Sequence, residues 1–521
     1  MIKQMLEKNE QYQELLFIRG YLITNAQINK NEYPFYGKWT EHLLGEYCCF
    51  VHPLQHFFKY NDGINTYFLI GNCVNPYDGE MDENIILEKL AEASKENDES
   101  GVAYLNSLTG SFIIGRVKEQ KIDFVTDPSG MLYCCYGKVG ENVYVSSHYQ
   151  LIADICPLTK SKYIKRLEKY KHFYKYGLFF PGDLTPFVEL TRAVQNHFIS
   201  YDGTFSIKRF YPIEKLQPCN NEEEYESTVK ECVRVLKKTL ELASKKWEDI
   251  AISLTGGMDS KTTLAAANGL YDKFSYYSYI SMPGDKIDAE AAHKIAENVG
   301  INHQIINISQ SDDDFEDIEI KRAIISHNNG EYKSNPNDVR KRVYFQKNSS
   351  FTEVKSWISE IARANYYKKF GVKKMPKSLS ARNMTSMYKI FTTQRRLAKE
   401  TDKIFESFIE KTGFNLIPQG YDSSDMYLWE FRYSAWGGIV ITSEHSFSNE
   451  IFIPYNNRRL LNEMLKAPKE KRISDEFHED LIKEGNPKVD ELGITVTNWN
   501  ETKKRQIFEK IYFKLNSFIP F

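Results

Sequence analysis

Two patterns of apolar residues divide the chain. Within the first two hundred residues, β-branched and aromatic residues form short runs between turn residues, as at Ser111–Val117, Lys121–Thr126 and Val143–Ser147. Such runs predict antiparallel strands joined by hairpins. From Glu222 to Lys246 the apolar residues recur instead at helical spacing. The change of period predicts that a β-rich first part ends shortly before this helix.

Beyond residue 250, short apolar strands alternate with helices. The predicted order is strand, helix, strand, helix, strand, over Ile250–Leu254, Lys261–Asn268, Phe274–Ile280, Asp288–Val299 and His303–Ile308. This alternation predicts a doubly wound parallel sheet. We therefore expect an α/β protein with a β-rich domain over residues 1–215 and a parallel-sheet domain with many helices over residues 216–521.

Composition excludes several classes of protein. The 68 basic and 70 acidic residues leave a formal charge of -2, so nucleic acid is not an expected partner. No apolar run approaches the ~18 residues of a membrane span, and the N-terminus lacks a signal-peptide core. Four of the eight cysteines form two adjacent pairs, Cys48–Cys49 and Cys134–Cys135, and adjacent cysteines rarely meet disulfide geometry. We expect a cytoplasmic protein with reduced thiols.

One glycine-rich turn carries candidate chemistry. The predicted strand before Thr255 runs into Gly256 and Gly257 and then into a helix, so backbone N–H groups can surround phosphate oxygens. Asp259 would be repelled by phosphate unless Mg²⁺ lay between them, which makes it the expected metal ligand. A Walker loop is excluded because Ser260 stands where that motif needs glycine. The residues predicted to bind nucleotide here are Ser253, Leu254, Thr255, Gly256, Gly257, Asp259, Ser260 and Lys261. The alternative is a turn that binds nothing.

This turn resembles the SGGxDS pyrophosphate loop of N-type ATP pyrophosphatases, with Thr255 for the leading serine. The following segment, from Asp288 to His303, is similar to that of asparagine synthetase-type enzymes. The resemblance implies that backbone at about Ser278–Met282, including Tyr279 and Ser281, recognises adenine.

The first part of the chain is similar to the amidotransferase domain of the same enzymes. The similarity lies in Leu108–Phe112, Asp127–Tyr133 and Val145–His148, and it implies a degenerate class II (Ntn) glutamine amidotransferase-like domain. Members that hydrolyse glutamine carry cysteine after the initiator methionine, whereas this sequence begins Met1-Ile2. The resemblance is therefore to the branch without glutaminase activity, which includes β-lactam synthetases and lasso-peptide cyclases.

A second acidic site is implied by the segment Phe351–Tyr367. It resembles the family region that supplies another Mg²⁺ ligand, although the glycines of that region are absent. Glu360 aligns with the acidic position, and Lys355 or Ser356 can face pyrophosphate. Tyr366 or Tyr367 aligns with a substrate aromatic, and Arg363 can bind phosphate or pair with Glu360. The alternative is an exposed Glu–Arg pair on a helix.

The segment Ile453–Leu461 resembles the part of the family that lines the acyl site. Asn456 replaces the usual aspartate, and Arg458 is the second expected substrate residue. The lysine that stabilises an acyl-adenylate in the family is missing at its usual offset. Its substitutes are left open among Lys488, Lys503 and Lys471.

Two further segments are rich in lysine. Lys165–Tyr176 interleaves basic and aromatic residues, and we expect an amphipathic helix rather than an RNA-binding surface. Lys368–Lys377 holds five lysines and predicts a solvated loop near the nucleotide or a clamp on an acidic substrate.

The resemblance as a whole implies an AMP-forming carbon–nitrogen ligase. It would use ATP and Mg²⁺, held by Asp259 and Glu360, to adenylate a small-molecule or peptide carboxylate, with Lys355 as a further catalytic residue. An amine or ammonia would then complete the amide in a biosynthetic pathway. Alternatives are an RNA-modifying ATP pyrophosphatase and a non-catalytic scaffold, and a homodimer is left open.

Overall fold

The computed structural model describes residues 2–174, 177–496 and 503–518. Within them the strands form two six-stranded antiparallel sheets and one five-stranded parallel sheet. The strands in chain order are β1 Tyr21–Thr24, β2 Thr40–Leu44, β3 Tyr47–Val51, β4 Phe57–Asn61, β5 Thr66–Val74, β6 Thr109–Lys118, β7 Lys121–Thr126, β8 Cys135–Val139, β9 Asn142–Ser146, β10 Leu190–Arg192, β11 His197–Asp202, β12 Thr204–Arg209, β13 Ile250–Ser253, β14 Ser275–Ile280, β15 Gln304–Asn307, β16 Thr352–Val354 and β17 Ile451–Phe452. The predicted mixed α/β class with many helices is confirmed.

The helices are concentrated in the second half of the chain. They are α1 Ile2–Lys8, α2 Glu83–Glu96, α3 Asp98–Asn106, α4 Tyr149–Ile155, α5 Lys162–Leu167, α6 Glu222–Lys246, α7 Met258–Ala266, α8 Asp285–Val299, α9 Ile318–Asn328, α10 Pro336–Asn348, α11 Asn365–Phe370, α12 Ala381–Tyr388, α13 Arg395–Thr412, α14 Ser423–Tyr427, α15 Ile439–Ser443, α16 Arg458–Leu465, α17 Lys469–Ser474, α18 Glu476–Gly485 and α19 Lys503–Phe518. A π-helix, Leu428–Gly438, joins α14 to α15. None of the described helices is long and apolar enough to cross a membrane.

The two antiparallel sheets pack face to face. Their strand orders are β10-β8-β9-β1-β3-β2 and β12-β11-β7-β6-β5-β4. Side chains alternate across β5, because Phe68 faces Ile23 of the other sheet in one core, whereas Leu69 faces Leu87 of α2 in another. This alternation allows one strand to serve two cores, and it gives the first half a sheet-on-sheet layer covered by helices.

The parallel sheet has the order β15-β14-β13-β16-β17. Its register is parallel throughout, with Ile252 opposite Tyr276 on one side and Val354 on the other. Both faces are buried, since Ile252 packs in the large core that includes Leu236 of α6, and Ala251 in a separate cluster. The predicted doubly wound sheet is therefore confirmed, with β13 at its centre.

The predicted domain boundary, between residues 215 and 216, falls in the irregular segment between β12 and α6. The two halves contact each other through buried polar groups: Asn196 Nδ2 donates to Glu430 at 3.0 Å, and Arg209 Nη2 to the same carboxylate at 2.9 Å. One predicted helix was wrong. Over Lys165–Tyr176 the helix ends at Leu167, and turns follow as far as Tyr174. The aromatic side chains there pack against separate partners, as Phe173 does against Phe180. Residues 175 and 176 lie outside the described ranges.

Candidate functional site

The two acidic motifs of the sequence meet at the point where the strand order of the parallel sheet reverses. The glycine turn follows β13, and the segment with Glu360 follows β16, which is its hydrogen-bonded neighbour. Because parallel strands end at one edge, both segments lie outside the carboxyl ends of adjacent strands. Ligands of open α/β sheets bind in the crevice at this point.

The glycine turn is braced by its own hydroxyl groups. Ser260 Oγ donates to the carbonyls of Thr255 at 2.8 Å and Gly257 at 3.1 Å, and the Gly257 N–H donates to Thr255 Oγ1 at 3.1 Å. Gly256 is required by packing, since an added Cβ would lie 2.6 Å from the side chain of Val496. Helix α7 begins directly after the turn, which gives it the positive end of a helix dipole.

A later segment of the chain, residues 490–496, covers this turn and is called the covering segment. Val496 N–H donates to the Gly256 carbonyl at 3.1 Å, and the Gly256 N–H donates to Asp288 Oδ1 at 2.7 Å. Lys261, predicted to bind phosphate, is buried beneath the segment and donates to Asp490 at 2.5 Å and to the Ile494 carbonyl at 3.0 Å. In this arrangement the lysine holds the covering segment, and phosphate would reach it only after that segment moves.

Asp259 and Glu360 are brought together as predicted for a metal pair. Burial, and next the negative charge of Asp259, raises the pKa of Glu360. Glu360 accepts a hydrogen bond from the Tyr433 hydroxyl at 2.6 Å, and Asp259 accepts one from Ser359 Oγ at 2.5 Å. The two carboxylates therefore share a confined space in which a cation would remove their repulsion.

Arg363 supplies the positive charge at this place. Its Nη1 lies 2.9 Å from Asp259 Oδ2, and its Nε lies 2.8 Å from Asp475 Oδ1. Lys368 Nζ lies 2.5 Å from the same Asp475 oxygen. The alternative of a Glu360–Arg363 pair on an ordinary helix is wrong, because residues 359–363 form a 3₁₀ turn and Arg363 turns to the two aspartates.

The donor set fits Mg²⁺. Two partly buried carboxylates that repel each other provide oxygen ligands, and Mg²⁺ in proteins commonly takes one or two carboxylates together with substrate phosphates and water. Asp259 and Glu360 would hold the ion, and Arg363 would have to release Asp259. Among the described residues there is no cluster of three or more His, Cys, Asp or Glu for a metal held by protein alone.

Lys355 and Ser356 point in different directions. Lys355 Nζ donates to Glu353 Oε1 at 2.7 Å within a buried pair, whereas Ser356 Oγ accepts from Thr263 of α7 at 2.7 Å. Burial lowers the pKa of Lys355, and its ammonium helps to keep the pKa of Glu353 low although burial opposes this. Of the two residues predicted for pyrophosphate, Ser356 is the one beside the glycine turn.

The predicted adenine segment lies on the neighbouring strand end. Ser253 Oγ donates to the Val354 carbonyl at 3.4 Å, and the Leu254 N–H donates to the Tyr277 carbonyl at 2.8 Å. Ser281 donates through its N–H and hydroxyl to Asp285 at 2.9 and 2.8 Å. The Tyr279 hydroxyl accepts from Lys341 at 3.3 Å. The side chain of Ser281 is thus engaged by the start of α8.

The two predicted substrate tyrosines separate. Tyr366 is buried and stacks on Phe370, with ring centroids 5.7 Å apart. The Tyr367 hydroxyl instead donates to Asp422 at 2.6 Å and accepts from Lys469 at 3.0 Å. Tyr366 also lines a cavity, together with Phe370.

Asn456 and Arg458 lie in the contact between the two halves of the chain. Asn456 Nδ2 donates to the Gly110 carbonyl at 2.7 Å and to Asp127 at 2.8 Å. Arg458 Nε donates to Asn196 at 2.8 Å. Both side chains are fully buried, so any contribution to a carboxylate site would be indirect.

Sequence reasoning missed His478 and misjudged Lys368. His478 of α18 is fully buried, and neither ring nitrogen has a hydrogen-bond partner among the described residues. Burial lowers its pKa to about 4, and its neighbours include Asp259, Arg363 and Asp475. Of the lysines left open by the sequence, Lys471 pairs with Glu476 at 2.8 Å. Lys368, which was expected in a solvated loop, lies on α11 and pairs with Asp475 at the site. In the sequence, His478 has the spacing of an ordinary buried helix residue, so nothing there predicts that it lies near Asp259.

The eight cysteines are all free thiols. Burial raises the pKa of Cys134 to about 12, and the pKa of the partly exposed Cys48 is also raised. A thiol of raised pKa is a poor nucleophile near neutral pH.

Comparison with known proteins adds little. No family model matches the chain, and no curated protein matches it. Among solved structures it is similar to a glutamine phosphoribosylpyrophosphate amidotransferase from B. subtilis complexed with ADP and GMP, at 12% identity and a TM-score of 0.23 over 57% of this chain and 61% of that one. An allosteric regulatory enzyme of purine biosynthesis gives 12% identity and a TM-score of 0.23 over 56% and 60%. The match spans about three-fifths of each of these proteins, and likeness at this level supports no conclusion about function.

Proposed function

We propose that the protein is an ATP-dependent ligase that adenylates a carboxylate and transfers the acyl group to an amine. One observation carries the proposal. A glycine turn at the head of α7 places Asp259 against Glu360 at the reversal of strand order, with the cations of Arg363 and Lys368 beside them. This combination provides amide donors, oxygen ligands and positive charge for a polyphosphate in one crevice.

The reaction would proceed in two displacements. The substrate carboxylate attacks the α-phosphorus of ATP, forming an acyl-adenylate and releasing pyrophosphate. An amine then attacks the acyl carbon, forming the amide and releasing AMP. Bound Mg²⁺ would supply charge neutralisation at the phosphates. The chain itself would hold pyrophosphate through the N–H groups of the first turn of α7, and Arg363 would neutralise the charge that develops on it.

The amine is proposed to come from a substrate or from free ammonia. Burial raises the pKa of Cys134 and Cys135, the two thiols that follow the turn at Asp127 in the first half. The first half therefore offers no activated thiol at these positions. Its proposed role is to support the second half rather than to release ammonia from glutamine.

The test is exchange of labelled pyrophosphate into ATP with a panel of carboxylates. We expect exchange that depends on one class of carboxylate, and Asp259→Asn should reduce it by about a hundredfold or more. Asp249→Asn is the matched control, since this exposed aspartate precedes the other end of the same strand. Full exchange activity in the Asp259 variant would contradict the proposal.

A non-catalytic scaffold is the second candidate, favoured by the internal pairing of Lys261 with Asp490 beneath the covering segment. Calorimetric titration with Mg²⁺ and ATP separates the two candidates. Binding that Asp259→Asn weakens supports the ligase, and absence of binding supports the scaffold.

A further inference from the structure

A cavity lies beside the π-helix that carries Arg432, apart from the crevice at the glycine turn. It has a volume of about 320 Å³, and five aromatic side chains contribute to its walls. Gly177 and Phe179 come from the first half, Tyr366 and Phe370 from α11, and Tyr388 from α12. The π-helix contributes Arg432 and Trp436, and α19 closes the remaining side. Both halves of the chain thus build one pocket.

Arg432 is the polar feature of this pocket. Its guanidinium carbon lies 4.1 Å from the ring centre of Phe179 and 4.7 Å from that of Trp436, so two aromatic faces enclose the cation. Its Nη1 is buried and has no hydrogen-bond partner among the described residues, which also offer it no ion pair. A buried unpaired guanidinium N–H costs free energy unless a ligand satisfies it. Burial accordingly lowers the pKa of Arg432.

The charge of the pocket is unbalanced. Among the described residues, its lining holds the basic side chains of Lys369, Lys389, Arg432 and Arg505 and one carboxylate, from Glu509, although burial lowers the pKa of Lys389 well below its usual range. Glu509 is occupied by Arg505 at 2.9 Å and by Lys369 at 3.3 Å. An anion is therefore the ligand that Arg432 lacks.

The pocket is connected to the metal pair through the π-helix. Tyr433, the residue after Arg432, donates its hydroxyl to Glu360 at 2.6 Å. Trp436 stacks on Trp357, at 5.3 Å between ring centres and an angle of 16° between planes, and Trp357 follows the strand end that carries Ser356. π-Helical turns are rare and often occur at functional sites. A ligand bound to Arg432 would therefore contact the residue next to the one that donates to Glu360.

We propose that this pocket binds the acyl substrate, that the substrate is an aromatic carboxylic acid, and that Arg432 binds the carboxylate to be activated. Only the activation of this carboxylate rests on the proposed ligase function. The ring of the acid would lie among Tyr366, Phe370 and Tyr388, whose faces and edges suit a planar partner. The guanidinium would donate charge-assisted hydrogen bonds to the carboxylate through its N–H groups, since aromatic rings already contact it.

The test is calorimetric titration, without ATP, of the full chain with benzoate, cinnamate and naphthoate and with the corresponding neutral amides. We expect at least one acid to bind about tenfold or more tightly than its amide, as charged hydrogen bonds imply. Arg432→Met should abolish this preference, and Arg432→Lys should keep part of it. Arg396→Met, on the exposed start of α13, is the control and should change nothing. Thermal melting confirms that each variant is folded.

The possible outcomes separate this inference from the ligase itself. Acid binding that persists in Asp259→Asn, while pyrophosphate exchange is lost, supports both. Acid binding in a protein that never exchanges pyrophosphate keeps the aromatic acid pocket and removes the ligase. Equal binding of acids and amides, no binding by any acid, or an unchanged preference in Arg432→Met overturns the inference, even where another carboxylate supports exchange.

Discussion

Arg363 donates from Nη1 to Asp259 at 2.9 Å and from Nε to Asp475 at 2.8 Å, so one guanidinium joins the head of α7 to the start of α18. The proposed metal ligand is therefore already neutralised within the protein. Binding of a cation at Asp259 must compete with this bond. The consequence is that the affinity of the site for Mg²⁺ is set in part by an arginine that is not a ligand.

Arg363→Met should destabilise the free protein by about 1–3 kcal/mol, because the partly buried Asp259 loses its charged donor and Asp475 keeps only Lys368. Added Mg²⁺ should restore part of this loss by binding Asp259 and Glu360. Urea unfolding with and without Mg²⁺ measures both effects. The double variant with Asp259→Asn is the control, and recovery by Mg²⁺ in that variant would show that the ion binds elsewhere.

Ala364 adopts a left-handed backbone, with φ 46° and ψ 45°, directly after the turn that carries Glu360. An L-residue pays roughly 1 kcal/mol for this conformation, and glycine does not. Ala364→Gly should therefore raise the free energy of unfolding by up to about 1 kcal/mol, less the entropy gained by the unfolded chain. Ala362→Gly, two residues earlier and without a positive φ, should lower it by about 0.5–1 kcal/mol. Equal effects in the two variants would contradict the argument.

His327 joins the halves of the chain through Asp154 at 2.7 Å and lies 2.5 Å from Glu331 and 3.1 Å from the Tyr33 hydroxyl. Burial alone would lower its pKa, but the two carboxylates raise it to about 9. The protonated form thus stabilises the folded state below pH 6.5, and this contribution, up to about 3 kcal/mol, is lost as the pH rises toward 9.

Thermal unfolding measured across this range should show a falling melting temperature in the wild-type protein. His327→Gln should remove this part of the pH dependence and should be least stable relative to wild type at the acidic end. A parallel decline in both proteins would assign the effect to other groups.

His478→Leu should leave stability unchanged or raise it by up to about 1 kcal/mol, because it replaces two unsatisfied buried nitrogens by an apolar side chain. Pyrophosphate exchange should nevertheless fall at least about tenfold if these unsatisfied ring nitrogens bind phosphate. Denaturant unfolding and exchange assays on the same preparation check both. Loss of stability without loss of exchange would make the residue purely structural.

The sequence predicted those elements whose signals are local. Helix α6 was predicted with both of its observed ends, because its apolar spacing is regular and Asn221 caps it by accepting from the Glu224 N–H. The strand Lys121–Thr126 was likewise predicted at both ends. The parallel sheet was predicted from the alternation of short apolar strands with helices, and the structure confirms it.

The partners of the charged side chains were not predictable. Lys261 binds an aspartate 229 residues away, and Arg363 binds one 112 residues away, so no local spacing reveals either. The choice between Lys355 and Ser356 depended on which of two successive residues faces α7, and a strand end of three residues does not fix this. Whether the predicted site residues act as proposed stays a prediction.

Tyr455 and Asn456 are neighbours in the chain with opposite attachments. The Tyr455 hydroxyl accepts from Thr263 of α7 at 3.2 Å, whereas Asn456 is held by Gly110 and Asp127 of the first half. A shift of the first half would therefore be transmitted within one residue to the helix that carries Asp259. Through this connection the first half can hold the shape of the crevice in the second half.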